Sequence, residues 1–218
     1  MSNPTLDTSN NNAGTSGSSI NWYHTCDAIA TLLLVHVSYT TMPGALSASY
    51  HSKPMALVKK YDHQAVFQLA NPDTGSGYQV VVTADSAVLQ TGFSSSWIGA
   101  GSIVARSSKE GSSNTAWLNR VVSSTNNLVL DFLSVLQASP ADVPAPQGSQ
   151  VVAYGGGTAD GSTWCIYCSY VAGAASVNVR ESWTNSYAYT YMAGDLGAGG
   201  VTPPAANTVK VTICIVGG

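Results

Sequence analysis

Hydrophobic residues in this chain come either in short runs with a period of two or in near-continuous blocks, and clusters of Gly, Pro, Asn and Asp separate them. Both patterns belong to β-strands, half-buried in the first case and buried on both faces in the second. Residues 66–85, VFQLANPDTGSGYQVVVTAD, show the first pattern. Tyr78, Val80 and Val82 fall on one face of an extended chain, and Gln79, Val81 and Thr83 fall on the other. Asn71, Pro72, Asp73, Gly75 and Gly77 supply turn chemistry between the two apolar arms, which are therefore predicted to pair as a β-hairpin. Residues 28–39, AIATLLLVHVSY, and 128–136, LVLDFLSVL, show the second pattern and predict buried central strands.

The same reading gives two short strands over 45–60, broken at Lys53-Pro54, and a strand over 88–103 that ends in a break at Gly99 to Gly101. Further strands are predicted over 117–122, 151–154 and 164–171, with a closing hairpin of 176–183 and 186–193 around Thr184-Asn185. Residues 106–115, RSSKEGSSNT, and the proline-bearing 138–148 read as loops. No helix and no internal repeat is predicted. The expected fold is an all-β antiparallel sandwich, immunoglobulin-like or jelly-roll, over residues 20–193.

Two arms flank that domain. Residues 1–19 have almost nothing apolar and predict a flexible N-terminal arm. At the other end, 194–218 combine a Gly- and Pro-rich linker with one strand, TVKVTICIV, whose Val209, Val211, Ile213 and Ile215 share a face. A lone half-apolar strand is unstable in water, and the linker reaches at most ~46–50 Å. Strand addition to a neighbouring subunit is the expectation, with those four residues as the assembly face.

Composition strengthens the case for association. Charged residues make up 9% of the 218, against about a quarter in an ordinary domain, while hydrophobic residues reach 44%. Little charge repulsion keeps copies apart. The net charge is −3 with eight Lys and Arg and no basic run, which argues against a nucleic-acid partner. No stretch approaches the ~20 apolar residues of a membrane-spanning helix, so no membrane is expected. The start, MSNPTLDTSNNNAGTSGSS, lacks the basic and apolar regions of a signal peptide, so synthesis in the cytoplasm and reduced Cys26, Cys165, Cys168 and Cys214 are expected.

Candidate chemistry is sparse. Cys165 and Cys168 form C-x-x-C, but inside the strand TWCIYCSY residues three apart face opposite ways, so no disulfide and no zinc is expected. His24, His36, His51 and His63 show no ligand spacing. The triplet from Gly155 to Gly157 precedes no helix and reads as a turn rather than a phosphate cradle. Asp73, Asp85, Asp131, Asp160 and Asp195 make no evident carboxylate pair, and turn chemistry explains Asp73 better than calcium. Serine has no nucleophile elbow. Trp97, Trp117, Trp164 and Trp183 are expected mainly in the core, with stacking on sugars as the other use of such rings. Tyr187, Tyr189 and Tyr191 form a stripe on one strand face, either sandwich core or a sticky outer surface. No catalytic residue, cofactor or metal is expected.

In their order, several motifs resemble a β-sandwich module of tailed-phage structural proteins and secreted bacterial proteins. They are Ser49-Tyr50-His51-Ser52-Lys53-Pro54-Met55-Ala56-Leu57-Val58, the stretch from Phe67 to Ala84, Trp97-Ile98-Gly99, Asn127-Leu128-Val129-Leu130-Asp131 and Ser182-Trp183-Thr184. The resemblance covers residues 28–193, with His51-Ser52 where the module usually has Asn-Gly. Beside that resemblance, the lack of a signal peptide, the low charge and the two low-complexity arms flanking one sandwich lead to the expectation of a non-enzymatic virion protein, a capsid decoration or cement protein of a tailed phage or a fibre subunit, whose partners are copies of itself or a major capsid protein. A carbohydrate-binding module with a glycan partner is the rival expectation, and the jelly-roll coat protein of a small virus a third.

Overall fold

The computed structural model describes residues 3–137, 142–156 and 164–199. All regular structure among them is β, arranged as two antiparallel sheets packed on one another. The strands are β1 (Thr5–Cys26), β2 (Ala30–Tyr39), β3 (Leu46–Tyr50), β4 (Lys53–Pro54), β5 (Ala56–Tyr61), β6 (Gln64–Ala70) and β7 (Gly75–Ile98) in the first sheet. In the second they are β8 (Ala100–Val121), β9 (Leu128–Leu136), β10 (Ala145–Pro146), β11 (Val151–Gly156), β12 (Trp164–Ala172) and β13 (Val177–Ala198). The expected all-β sandwich is therefore the fold. The strand predicted over Thr208 to Val216, with Val209, Val211, Ile213 and Ile215, lies outside the described residues.

The two sheets repeat one plan. In each, the first long strand pairs with the last, β1 with β7 and β8 with β13. The last strand also pairs with the second, β2 or β9, which in turn pairs with β6 or β12. A further strand, β5 or β11, adds outside, and β3 or β10 joins the first half of the last strand. Even the irregularities correspond: the ladder of β7 on β1 skips between Thr83 and Val88, and that of β13 on β8 skips between Ser182 and Tyr187. Residues 5–98 and 100–198 are thus two modules of the same topology, joined at Gly99, whose φ of 69° suits a residue without Cβ. The sequence shows no such repeat, because the side chains at equivalent positions differ.

Three cores result. Ile20, Trp22, Leu33, Val35, Tyr50, Phe67 and Val80 fill one inside the first module, where the long strands curl over β2 and β6. Val129, Leu133, Cys165, Val179, Trp183 and Tyr191 fill its counterpart in the second. Between the modules, Leu32, Leu34, Phe93 and Trp97 meet Leu130, Phe132, Ile166 and Met192. β2 and β9 contribute to both an inner core and the shared one, which is why each reads as a continuous apolar block. His36, opposite Phe93 on its ladder, and Phe132, opposite Met192, hold equivalent positions and touch edge to face at 5.3 Å. Contact between equivalent positions is the mark of an isologous, dimer-like junction.

Several expectations are corrected. Residues 66–70 and 75–85 do not form a hairpin, because β2 lies between β6 and the second half of β7 and pairs with both. The segment 1–19 is no flexible arm over its described part: β1 is laddered to β7 from Thr5 onward. Residues 106–115 belong to β8 rather than a loop, and 177–198 form one strand rather than a hairpin followed by an arm. In β1 and the middle of β8 backbone hydrogen bonds order stretches whose polar side chains carry little hydrophobic signal.

Candidate functional site

Most of the polar residues that chemistry might use are spent inside the cores. Cys165 belongs to the second module's core and Cys168 to the shared one, on opposite sides of β12 as their spacing predicts. Burial pushes the Cys168 thiol well up. Among the described residues no group of three His, Cys, Asp or Glu could hold a metal ion.

His24 and Ser94 lie 2.8 Å apart, and the Trp22 indole N–H donates to the same Ser94 Oγ at 2.8 Å. The pair looks like a base beside a nucleophile, but all three residues are buried, so the hydroxyl works as a structural link. Burial lowers the His24 pKa to about 4 and keeps the ring neutral. His36 meets Gln64 Oε1 through Nε2 at 2.7 Å, and Gln64 passes the link to the Phe132 carbonyl at 3.3 Å. This polar chain crosses the module junction, with the His36 pKa lowered to about 3 by burial.

The second module holds a buried carboxyl pair that sequence reasoning missed. Asp131 accepts from the Ser169 backbone at 2.7 Å and hydroxyl at 3.0 Å, from Gln150 at 2.7 Å and from Tyr191 at 2.6 Å. Glu181 is buried beside it with far fewer donors. Desolvation, then the charge of Asp131, raises the Glu181 pKa strongly, so Glu181 is the member that keeps a proton. The two come from strands that are distant in sequence, which is why no pair was visible there. Asp73, by contrast, is held on an exposed turn by Lys53 at 2.5 Å and His51 at 2.8 Å, so both carboxylate oxygens are already engaged.

Of the tyrosine stripe, Tyr189 and Tyr191 are buried in the second module's core and Tyr187 packs against it. The stripe is core, and the outer-surface alternative does not hold. Four of the five tryptophans are buried as well.

Two outward sheet faces remain. On the first module, Asn21 and Tyr23 of β1, Gln79, Val81 and Thr83 of β7, and Ser47 and Ser49 of β3 share a face, because their neighbours Ile20, Trp22, Ala48, Tyr50, Val80 and Val82 point inward. Tyr23 is 65% exposed. Segments 15–26, 46–50 and 75–84 contain no Asp, Glu, Lys or Arg. On the second module, Thr115, Trp117 and Asn119 of β8 alternate with buried Ala116 and Leu118 and lie beside Asn178 and Arg180 of β13. They line a groove of about 370 Å³. Trp117 is 44% exposed, with the Lys109 ammonium 4.1 Å from its ring centroid. The alternations SINWYHTC and TAWLN carry both faces in the sequence, once their strands are known.

No protein family, no curated protein and no solved structure matches this chain.

Proposed function

We propose that the chain is a non-enzymatic structural subunit of a virion, of the capsid-decoration or fibre kind, that associates with further copies of itself through the uncharged outer face of the first module. One observation carries this reading: a face spanning three strands, β1, β7 and β3, without a single Asp, Glu, Lys or Arg in the segments that form it, 15–26, 75–84 and 46–50. Dehydrating an ion costs several kcal/mol, whereas Ser, Thr, Asn and Gln lose far less when they exchange water for a partner. Tyr23, the most exposed aromatic on it at 65%, is a residue type enriched where protein surfaces meet. The long strands β1, β7, β8 and β13, each of 22 to 24 residues and paired over most of their length, give the stiffness that a shell or fibre element needs. A structural role also agrees with the way the polar groups are used, as links within cores and as turn fasteners.

Tyr23→Lys and Gln79→Glu each place a charge on this face without touching a core. Sedimentation of the full chain across a wide concentration range is expected to show oligomers for the wild type and monomers for both variants. Electron micrographs of the wild-type oligomer should then show closed shells or fibres. A wild-type chain that stays monomeric, or variants that assemble unchanged, would sink the proposal.

A further inference from the structure

We infer that the groove around Trp117 on the second module is a saccharide-binding site with a preference for acidic sugars. The inference goes beyond assembly and uses a different face of the molecule.

The groove has the parts such a site requires. Trp117 offers an indole face in the open, and aromatic faces stack against the C–H face of a pyranose while polar groups at the rim bond its hydroxyls. Thr115 and Asn119 flank it two residues away on the same strand, and Arg180 sits directly across on β13. Asn178 is held at the rim by a β-bulge: the ladder shifts between Val177 and Val179, and the Asn178 Oδ1 accepts the Arg120 backbone N–H at 3.0 Å. That bond uses the amide oxygen and leaves the Asn178 NH₂ directed as a donor. Arg120 has φ of 58°, so the bulge is a strained feature kept by its surroundings. The base is rigid, because Ala116, Leu118 and Val179 behind it are core. At about 370 Å³ the groove falls within the usual range of small-ligand sites.

Charge sets the class of sugar. Lys109 and Arg180 both border Trp117, and neither has a carboxylate partner at ion-pair distance among the described residues. Lys109 rests over the indole, and an exposed cation–π contact is worth only ~0.5–1 kcal/mol, so the flexible ammonium can leave the ring for an anionic group. Arg180 offers a planar fork that matches a carboxylate or sulfate. A uronic, sialic or sulfated sugar satisfies both cations while its ring takes the place of the ammonium on the indole. The equivalent face of the first module has neither tryptophan nor cation, so the site belongs to the second module alone.

Titration calorimetry at low salt with matched pairs, cellobiose against cellobiuronic acid and lactose against 3′-sialyllactose, tests this. Acidic members are expected to bind at least roughly tenfold more tightly than their neutral partners. Trp117→Ala should abolish binding of all of them. Arg180→Gln with Lys109→Gln should remove the preference for acid while weak stacking of the neutral sugars persists. Trp117 and Arg180 line the groove and Lys109 reaches only the Trp117 ring, none of them in a core, and thermal melts confirm that the variants are folded. Absence of binding by all four sugars, or acid binding that survives Trp117→Ala, overturns the inference, and neither result bears on the assembly face.

Discussion

Asp131 and Glu181 show how far single residues here are governed by burial. At Asp131, four hydrogen bonds oppose the desolvation that raises its pKa; Glu181 has little beyond Ser169 and so holds the proton. A carboxyl whose pKa is raised by folding keeps a proton that the unfolded chain releases, so its contribution to stability falls as pH rises above the ordinary value of 4.5. His24 and His36 act in the opposite direction. Their pKa values fall from 6.5 to about 4 and about 3, so the unfolded chain binds protons that the native state refuses, and stability is lost as pH falls below 6.5. Above neutrality the histidines are silent and the carboxyl remains. The urea midpoint is therefore expected to fall between about pH 7 and about pH 8, below the range in which the raised Cys26 and Cys168 thiols add to the loss, with a slope of at most about 1.4 kcal/mol per pH unit for the one proton. Glu181→Gln, which keeps the shape and has no proton to lose, should flatten that fall. An equal fall in the variant would remove Glu181 from the account.

Strands were legible in the sequence where side chains alone decide them. β2 and β9 announce themselves because both faces are buried, and β12 because its alternate residues enter different cores. β1 and the middle of β8 did not, since Ser, Asn, Thr and Gly there contribute backbone hydrogen bonds rather than burial. Pairing was the harder problem. The turn residues after Ala70 are real, yet β2 is inserted between the flanking arms, and nothing local distinguishes a hairpin from such an insertion. Of the two outward faces, the residues were readable by alternation, but their grouping into one uncharged patch and one aromatic groove needed the register. The Ser182-Trp183-Thr184 corner proves to be the point where β13 leaves its ladder with β8, and Asp142 fastens it by accepting the Thr184 and Asn185 amides at 2.5 and 2.8 Å. Trp183 plugs the core at that break, edge to face with Tyr189 at 5.8 Å, although its indole N–H finds no partner among the described residues. Trp183→Ala is expected to cost ~3–5 kcal/mol. Trp183→Phe should cost clearly less, because it keeps the ring packing and removes the buried unpaired donor. Denaturant midpoints of the two variants check this, and an unchanged midpoint for the alanine variant would mean that the break is not sealed by this side chain.

At the scale of the whole molecule, one topology used twice determines how the chain holds together. Each module has its own core, and a domain of about 100 residues is large enough in general to fold alone. Here, though, each also presents one apolar sheet face that only the other module covers: Leu32, Leu34, Val66, Phe93 and Trp97 on one side, and Leu130, Phe132, Ile166, Met192 and Leu196 on the other. Trp97 and Leu130 are completely buried at this junction, and the buried polar chain of His36, Gln64 and Ser134 crosses it. A separated module would expose that apolar face and leave the His36 and Gln64 side chains in contact with water, where their mutual bond adds little. The only covalent link between the modules is the turn at Gly99, so cleaving the chain there removes no packing contact. Residues 1–99 and 100–218 expressed together are therefore expected to form a stable complex with a single cooperative melt. Expressed alone, each should either lack a cooperative transition or pair with itself through the same face, as the contact between equivalent positions His36 and Phe132 permits. Sedimentation and calorimetry on the three preparations decide the matter: a half that is monomeric and melts cooperatively on its own would show that the inner cores suffice and that the shared core only docks two finished domains.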